Sequence, residues 1–310
     1  MISLIMPTHD GAHVLPITLE AMRRVKLPAR GVEILVVNNA SRDQSSAIVR
    51  SYTAHLPLRL IETATPGRAH ALNLAIPHAK GELLVMTDDD VVPDPEWLLR
   101  YDEAARTNPE IDIFAGQIRH HWQAPPPAWL QRLAAEGRSY GGTPVDRPAG
   151  PISPEQVKGA NLAARRAVFD RLRFDEGLGY NAGGAMVAGE ETDLVRRATQ
   201  KGHKARYIPD AVVKHIVRPH QVKARAVLTR YFRIGKGVEK SKADCFPEGV
   251  PTLFGIPRYL FKTETRKIGR CLSFAARNDP YSAMDQAIDI ATVFGRAYQW
   301  RQDRKEIPSR

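Results

Sequence analysis

Apolar, β-prone runs at residues 2–6, 32–37, 58–61 and 83–86 alternate with segments of helical periodicity, joined by links of a few residues. This alternation constrains the fold most strongly, because strands connected through short helical crossovers form a parallel sheet with helices on its faces. Leu15, Leu19, Met22 and Val25 fall on one face of a helix over about residues 14–25. Further helices are expected to about residue 54 and over about 69–79. Each strand ends in polar residues: Thr8-His9-Asp10-Gly11, Asn38-Asn39-Ala40-Ser41-Arg42-Asp43 and Asp88-Asp89-Asp90. In open α/β sheets such turns share one edge, where ligands bind.

The fourth run is the most informative. Residues 83–86 lead straight into Asp88-Asp89-Asp90, and Pro93 and Pro95 then stop the strand. Three adjacent carboxylates repel one another, so a cation should neutralise them, most simply a hard divalent metal with oxygen ligands. A solvated acidic turn that caps the next helix through Asp94 explains the same residues without chemistry. Further on, Gly189-Glu190-Glu191 opens a helix with Arg196 and Arg197 deeper in it, an order the helix dipole favours for structural reasons alone. His215 closes a strand, where a surface or core role competes with a ligand role.

The rest of the chain is less regular. A helix over 97–105 and a strand over 111–116 continue the alternation, which residues 123–154 interrupt with Pro125-Pro126-Pro127 and Gly141-Gly142. We read this stretch as a flap on the substrate side around an embedded helix, 128–137, with Trp122, Trp129 and Tyr140 as its aromatic residues. A helix over 166–172, a mobile glycine-rich stretch at 181–185 and two short strands around a turn within 205–215 are expected next. Helical segments at 221–240 and about 281–304 follow, separated by a loop near 246–251. Residues 1–220 thus make an α/β domain and 221–310 a helical C-terminal extension.

Composition narrows the partners. The formal net charge of +11 is concentrated toward the C-terminal third and points to an anionic partner: phosphorylated substrate, acidic membrane surface or nucleic acid. Arg258, Lys262, Arg266, Lys267 and Arg270 stand among Phe254, Tyr259, Leu260 and Phe261, so this region packs on the main domain or lies on an anionic bilayer. No window offers the ~18 consecutive apolar residues of a membrane-spanning helix, and the N-terminus reads as a first strand with no signal peptide. Cys245 and Cys271 are too few for a disulfide framework, which fits a reducing cytoplasm. There is no G-x-G-x-x-G after the first strand and no G-x-x-x-x-G-K-[ST], so dinucleotide and P-loop folds lack support.

In this order the motifs resemble the family 2 glycosyltransferases, inverting enzymes with the GT-A fold. The series is Met6-Pro7-Thr8, Val36-Val37-Asn38-Asn39, Pro66-Gly67-Arg68, Asp88-Asp89-Asp90, Gly159-Ala160-Asn161, Gly189-Glu190-Glu191-Thr192-Asp193 and Tyr207-Ile208-Pro209-Asp210-Ala211 with His215. The resemblance spans about residues 2–220 and implies a Rossmann-like, mostly parallel central sheet flanked by helices.

It also implies roles. A nucleoside-diphosphate sugar lies along the sheet edge, held by Pro7, Thr8 and Asp10 on one side and Asn38 and Ser41 on the other. Where the family usually has aspartate this chain has Asn38, whose amide offers a donor as well as an acceptor to a base. Arg68 meets the diphosphate, Asp88 the ribose side with Asp89 nearby, and Asp90 with His215 a Mg²⁺ or Mn²⁺. The family's Glu-Asp pair reads Glu190-Glu191 here, which puts the general base on Glu191 with Glu190 as runner-up; Arg196 or Arg197 is expected to balance the pair. Gly159, Asn161 and Trp129 fall on the acceptor side. The implied reaction is metal-dependent, inverting transfer to an acceptor hydroxyl on a sugar or lipid-linked sugar, in polysaccharide, glycolipid or other glycoconjugate synthesis. The implied place is the cytoplasm, with peripheral contact on the inner membrane surface. Two other readings stay open, a nucleotidyltransferase with a similar sheet and a non-catalytic polyanion-binding protein; without a recognisable nucleic-acid module, no nucleic-acid partner is expected.

Overall fold

The computed structural model describes all residues except 181–185, 188, 242–245, 248, 255 and 306–310. The glycine-rich stretch 181–185 and Cys245 therefore lie outside the described residues, while Cys271 is a free, half-buried thiol. In chain order the first half contains β1 (Ile2–Thr8), α1 (Leu15–Met22), β2 (Val32–Asn39), α2 (Ser45–Ser51), β3 (Leu58–Thr63), α3 (Arg68–Ala75), β4 (Leu83–Thr87), β5 (Val91–Pro93), α4 (Trp97–Thr107), β6 (Ile113–Trp122) and α5 (Ala128–Ala135). Then come β7 (Gly150–Pro151), β8 (Asn161–Arg165), β9 (Gly179–Tyr180), β10 (Met186–Val187), α6 (Glu190–Gln200), β11 (Ala205–Val217), α7 (Ala224–Lys240), α8 (Arg258–Ala276) and α9 (Pro280–Lys305).

Among the described residues the main sheet has nine strands, ordered β3-β2-β1-β4-β8-β6-β11-β5 with β7 beside β11. Neighbours from β3 to β4 pair in parallel, as do β6 and β11, whereas β8 runs antiparallel between β4 and β6. Alternation along β1 sends Ile2, Leu4 and Met6 into one core layer and Ile5 into the other. The first layer is closed by Leu15 and Leu19 of α1, Val49 of α2 and Trp97 and Tyr101 of α4. Leu72 of α3 with Leu194 and Val195 of α6 close the second. Burial on both faces is why these strands read as continuous apolar runs.

Several elements differ from the sequence reading. Helix α3 stops at Ala75 and a 3₁₀ turn, Ile76–His78, takes over, because Pro77 has no amide hydrogen to continue the ladder. Residues 166–172 form a 3₁₀ turn over Arg166–Asp170 rather than a helix. The expected pair of short strands is one thirteen-residue strand, β11, whose register slips between Ile208 and Val212, where Pro209 cannot donate to the sheet. Strand β6 continues past Gly116 to Trp122 because the second half of β11 pairs with it. The C-terminal part contains a helix, α8, that its mixed apolar and basic pattern did not disclose.

The C-terminal helices are packed onto the rest. Leu130, Leu133 and Tyr140 of the flap region share a core with Val217, Val227 of α7 and Ile288 of α9. Helices α7 and α9 cross backbone to backbone: a Cβ on Gly235 would stand 2.0 Å from the Thr292 carbonyl oxygen, and one on Gly295 1.9 Å from that of Phe232. No described helix is long and apolar enough to cross a membrane.

Candidate active site

The turns after β1 and β2 are tied together by their own polar side chains. The Asp10 amide donates to Ser41 Oγ (3.0 Å), and Asp10 Oδ1 accepts from the Arg42 amide (2.7 Å). Asp10 and Ala40 hold positive φ values of 49° and 57°, backbone states that L-residues adopt at a cost and that cluster at binding sites. Asn38 Oδ1 accepts from the Ser41 amide (3.0 Å) and its Nδ2 donates to Ser46 Oγ (2.5 Å), so both ends of the amide are engaged within the protein. Of the five residues expected to hold the nucleoside, Asp10 is exposed and Ser41 half-buried, while Pro7, Thr8 and Asn38 are buried beneath them.

The acidic tripeptide links β4 to β5 and is fixed by its backbone. Thr18 Oγ1 donates to the Asp89 carbonyl (2.7 Å) and the Ile216 amide to the Asp90 carbonyl (2.8 Å). The three carboxyls then diverge. Asp89 turns inward and accepts from Thr8 Oγ1 (2.5 Å); Gly11 leaves room for this contact, since a Cβ there would lie 2.3 Å from Asp89 Oδ2. Burial, then the adjacent Asp90 and Asp88 charges, push the Asp89 carboxyl up to about 7 against the Thr8 bond. Asp90 faces His215 Nε2 at 3.3 Å and an Arg218 guanidinium nitrogen at 3.4 Å. Burial raises the Asp90 pKa, but His215, Arg218 and Arg230 outweigh it and hold the carboxyl below its ordinary range. His215 reaches this position because β11 pairs antiparallel with β5, opposing His215 to Val91.

Asp88 points the third way, to Arg68 at the start of α3. Arg68 Nε and one terminal nitrogen donate to Asp88 Oδ1 (3.0 and 2.8 Å), and the other donates to Glu190 Oε1 (2.9 Å). Burial disfavours the guanidinium charge, but Asp88, Glu190 and Glu191 overcome this and raise its pKa. Glu190 is 5% exposed; burial and then Glu191 lift its carboxyl to about 6, opposed by Arg68. The neighbour of the Glu pair is therefore Arg68, and not Arg196 or Arg197 as expected from sequence. Those two pair with Asp193 (3.5 and 2.8 Å), which helix geometry sets three and four residues before them. Glu191 accepts from the Gly159 amide (3.2 Å) and faces a cavity of about 600 Å³ that Asp88, Glu190 and His215 also line. Gly159 is required here, as a Cβ would stand 2.6 Å from Arg68.

Two of the residues expected on the acceptor side sit elsewhere. Asn161 is 1% exposed and serves the core: its Oδ1 accepts from Trp97 Nε1 (2.8 Å) and Tyr101 OH (2.8 Å), and its Nδ2 donates to the Gln117 and Ala211 carbonyls (2.9 and 2.8 Å). Trp129 packs into the cluster that joins α5 to the C-terminal helices. Tyr140 does line the cavity, and its hydroxyl donates to the Gln221 carbonyl. The sequence reading missed Lys158, Lys223 and Arg230 on the far wall, where the signal was only the general basic excess.

A mostly parallel sheet whose carboxyl edge gathers two polar turns, an acidic strand end and a carboxylate pair at a helix start defines a GT-A-type glycosyltransferase. Residues 3–172 match the model of Glycosyl transferase family 2, and the chain belongs to that family. Among its relatives, Glycosyltransferase AglE of Haloferax volcanii is 26% identical over 241 residues, covering 76% of this chain and 72% of AglE. The O-antigen chain rhamnosyltransferase RfbN of Salmonella typhimurium is 21% identical over 236 residues, covering 76% and 71%. The fold is similar to mannosyltransferase PcManGT from Pyrobaculum calidifontis, solved with GDP-Man and Mn²⁺ (TM-score 0.59, 20% identity, all of this chain and 76% of that one). It is also similar to residues 1–349 of Staphylococcus aureus TarS with UDP-GlcNAc (TM-score 0.51, 15% identity, 94% and 90%). The chain is an enzyme that transfers a sugar from a nucleotide-sugar donor.

Proposed function

We propose that the enzyme is a metal-dependent, inverting glycosyltransferase acting on an acceptor hydroxyl by a single displacement, with residues 1–220 holding the donor and 221–310 facing acceptor or membrane. The observation that carries this reading is that Glu191 lines one cavity together with Asp88, which follows β4, and His215 of β11. A base on the acceptor side and a leaving group on the donor side are what an inverting displacement needs.

Among the described residues no group of three His, Cys, Asp or Glu side chains converges to hold a metal alone. Asp90 and His215 supply a carboxylate and an imidazole side by side, and the buried His215 Nδ1 has no hydrogen-bond partner among the described residues. Mg²⁺ in nucleotide sites takes one or two protein ligands, with phosphate oxygens and water completing the shell, so the pair fits such an ion. Bound there, Mg²⁺ or Mn²⁺ would supply Lewis-acid stabilisation for the departing diphosphate.

The protein's own groups do the rest. Asp10 and Ser41 contact the nucleoside on the β1–β2 edge; Pro7, Thr8 and Asn38 shape that edge from beneath. Asp88, anchored by Arg68, meets the ribose side, and Arg68 keeps a positive charge beside the diphosphate. Glu191 takes the proton from the acceptor hydroxyl as its oxygen bonds to the anomeric carbon and the carbon–diphosphate bond breaks. Glu190, buried and paired to Arg68, positions that cation. In an assay with nucleotide sugars and Mn²⁺, NMR should show a product of opposite anomeric configuration to the donor, with transfer abolished by EDTA and restored by Mn²⁺. Retained configuration, or transfer indifferent to EDTA, would refute the mechanism.

A cytoplasmic, membrane-peripheral site of action is part of this proposal, and α8 supports the membrane contact. Tyr259, Phe261, Ile268 and Leu272 are exposed beside Lys262, Arg266 and Arg270, apolar and cationic groups together on one helix. Sedimentation with phosphatidylglycerol vesicles at low salt, but not with neutral phosphatidylcholine vesicles, is expected; no sedimentation with either sinks the membrane contact.

A further inference from the structure

The cavity wall opposite the carboxylates is cationic. Lys158 enters from the loop before β8, and α7 together with the residue before it presents Lys223, Arg225, Arg230 and Arg233 to the same space. Positions 223, 226, 230 and 233 recur at helical spacing, so one face of α7 is turned to the cavity.

Three features separate this wall from a solvated basic face. Arg230 is half-buried and lies 5.4 Å from the Tyr140 ring centre, with no carboxylate at ion-pair distance among the described residues. A guanidinium partly removed from water without an anion at contact distance is costly; Asp90 feels the Arg230 charge but pairs with His215 and Arg218. Among the described residues Lys158 bonds a backbone carbonyl, that of Glu155 (2.9 Å), and no carboxylate; burial foremost and then Arg230 depress its pKa, against the pull of Glu191. Finally, the first turn of α7 has no acidic residue, and Lys223 and Arg225 stand at the helix end where the dipole is already positive. Among the described residues the facing carboxylates do not reach Lys158 or Arg230 at contact distance, because Asp88 and Glu190 are held by Arg68 and Glu191 bonds the Gly159 amide.

We propose that this wall is a subsite for a phosphate carried by the acceptor, so that the enzyme glycosylates a hydroxyl on a phosphate-bearing molecule. The proposal rests on the glycosyltransferase reading above and adds the acceptor's chemical class. A phosphate monoester carries close to two negative charges and three acceptor oxygens, and suits a cluster of guanidinium and ammonium groups better than a single carboxylate does. The donor diphosphate is the other source of the same chemistry, and competition tells the two apart.

The test titrates glycerol 3-phosphate, with uncharged glycerol as control, into enzyme saturated with a tightly bound nucleoside diphosphate. Saturable binding of glycerol 3-phosphate alone is expected. The double variant Arg230→Gln/Lys158→Gln should weaken it by about tenfold or more, as loss of charge-assisted bonds requires, with nucleoside diphosphate affinity kept within about twofold as the check on folding. The exposed pair Lys223→Gln/Arg225→Gln should weaken it in the same direction and carries no folding risk. Displacement of the probe by nucleoside diphosphate would assign the wall to the donor and overturn the proposal. Absence of probe binding at about 10 mM, or equal affinity in all variants, would overturn it too. Failure of the wild type to bind any nucleoside diphosphate would overturn the proposal together with the reading beneath it.

Discussion

Asn161 sits in a motif that resembles an acceptor site, yet its side chain is a four-way hydrogen-bond hub, and replacing it separates the two roles. Asn161→Ala leaves Trp97 Nε1 and the Gln117 and Ala211 carbonyls without their partner, whereas Tyr101 OH retains the Asn161 carbonyl oxygen at 3.0 Å. Each buried group stripped of its bond costs about 1–3 kcal/mol, so the variant should lose about 3 kcal/mol at the least. Asn161→Asp keeps the bonds from Trp97 and Tyr101 but sets a carboxylate oxygen against both carbonyls, so it should be no better at neutral pH and recover partly in acid as that carboxyl protonates. Urea titration followed by fluorescence gives the change as a shifted midpoint at constant slope. A loss below about 1 kcal/mol in Asn161→Ala, with a raised KM for acceptor, would show that the residue serves the acceptor and that the hub is wrongly assigned.

Glu190→Gln tests the electrostatics beneath the site. A buried acid lifted from 4.5 to about 6 favours the fold while protonated and loses about 2 kcal/mol as pH rises through 6. Gln escapes that loss, so its stability relative to wild type should improve by about 1.5 kcal/mol between pH 4.5 and pH 7.5; a difference that does not change with pH contradicts the assignment. Gly159→Ala should cost little stability, because the clashing atoms are the end of the Arg68 side chain, but should cut transfer by about 100-fold by moving that cation off Asp88 and Glu190. Gly235→Ala meets backbone instead, so a loss of about 1–3 kcal/mol in the melting of the C-terminal helices is expected, with donor binding intact.

The parallel half of the fold was legible because β1, β2 and β4 are buried on both faces and its helices on one, which imprints two distinct periods on the sequence. Strand β8 and the reach of β6 were not, since Gln117, Arg119, His120 and His121 are polar and are ordered by a partner strand about ninety residues away. Helix α8 buries only Leu260 and Glu264 among its described residues, too little to leave a stripe. In the site, residue types were readable and pairings were not. Arg68 and Glu190 lie 122 positions apart, and nothing local in either segment discloses that one neutralises the other. Asn161 misled for the converse reason: a polar residue in a glycine-containing motif looks the same whether it faces substrate or completes a core network.

The proposed division of labour, Glu191 taking the acceptor proton while Glu190 positions Arg68, is decided by the single-turnover transfer rates of Glu191→Gln and Glu190→Gln, each with its nucleoside diphosphate affinity measured alongside. Loss of a general base costs about 10²–10⁴-fold, so Glu191→Gln should fall by that much with nucleotide affinity unchanged, and Glu190→Gln by distinctly less. Glu191→Gln turning over near the wild-type rate, with the loss appearing in Glu190→Gln, would contradict the assignment.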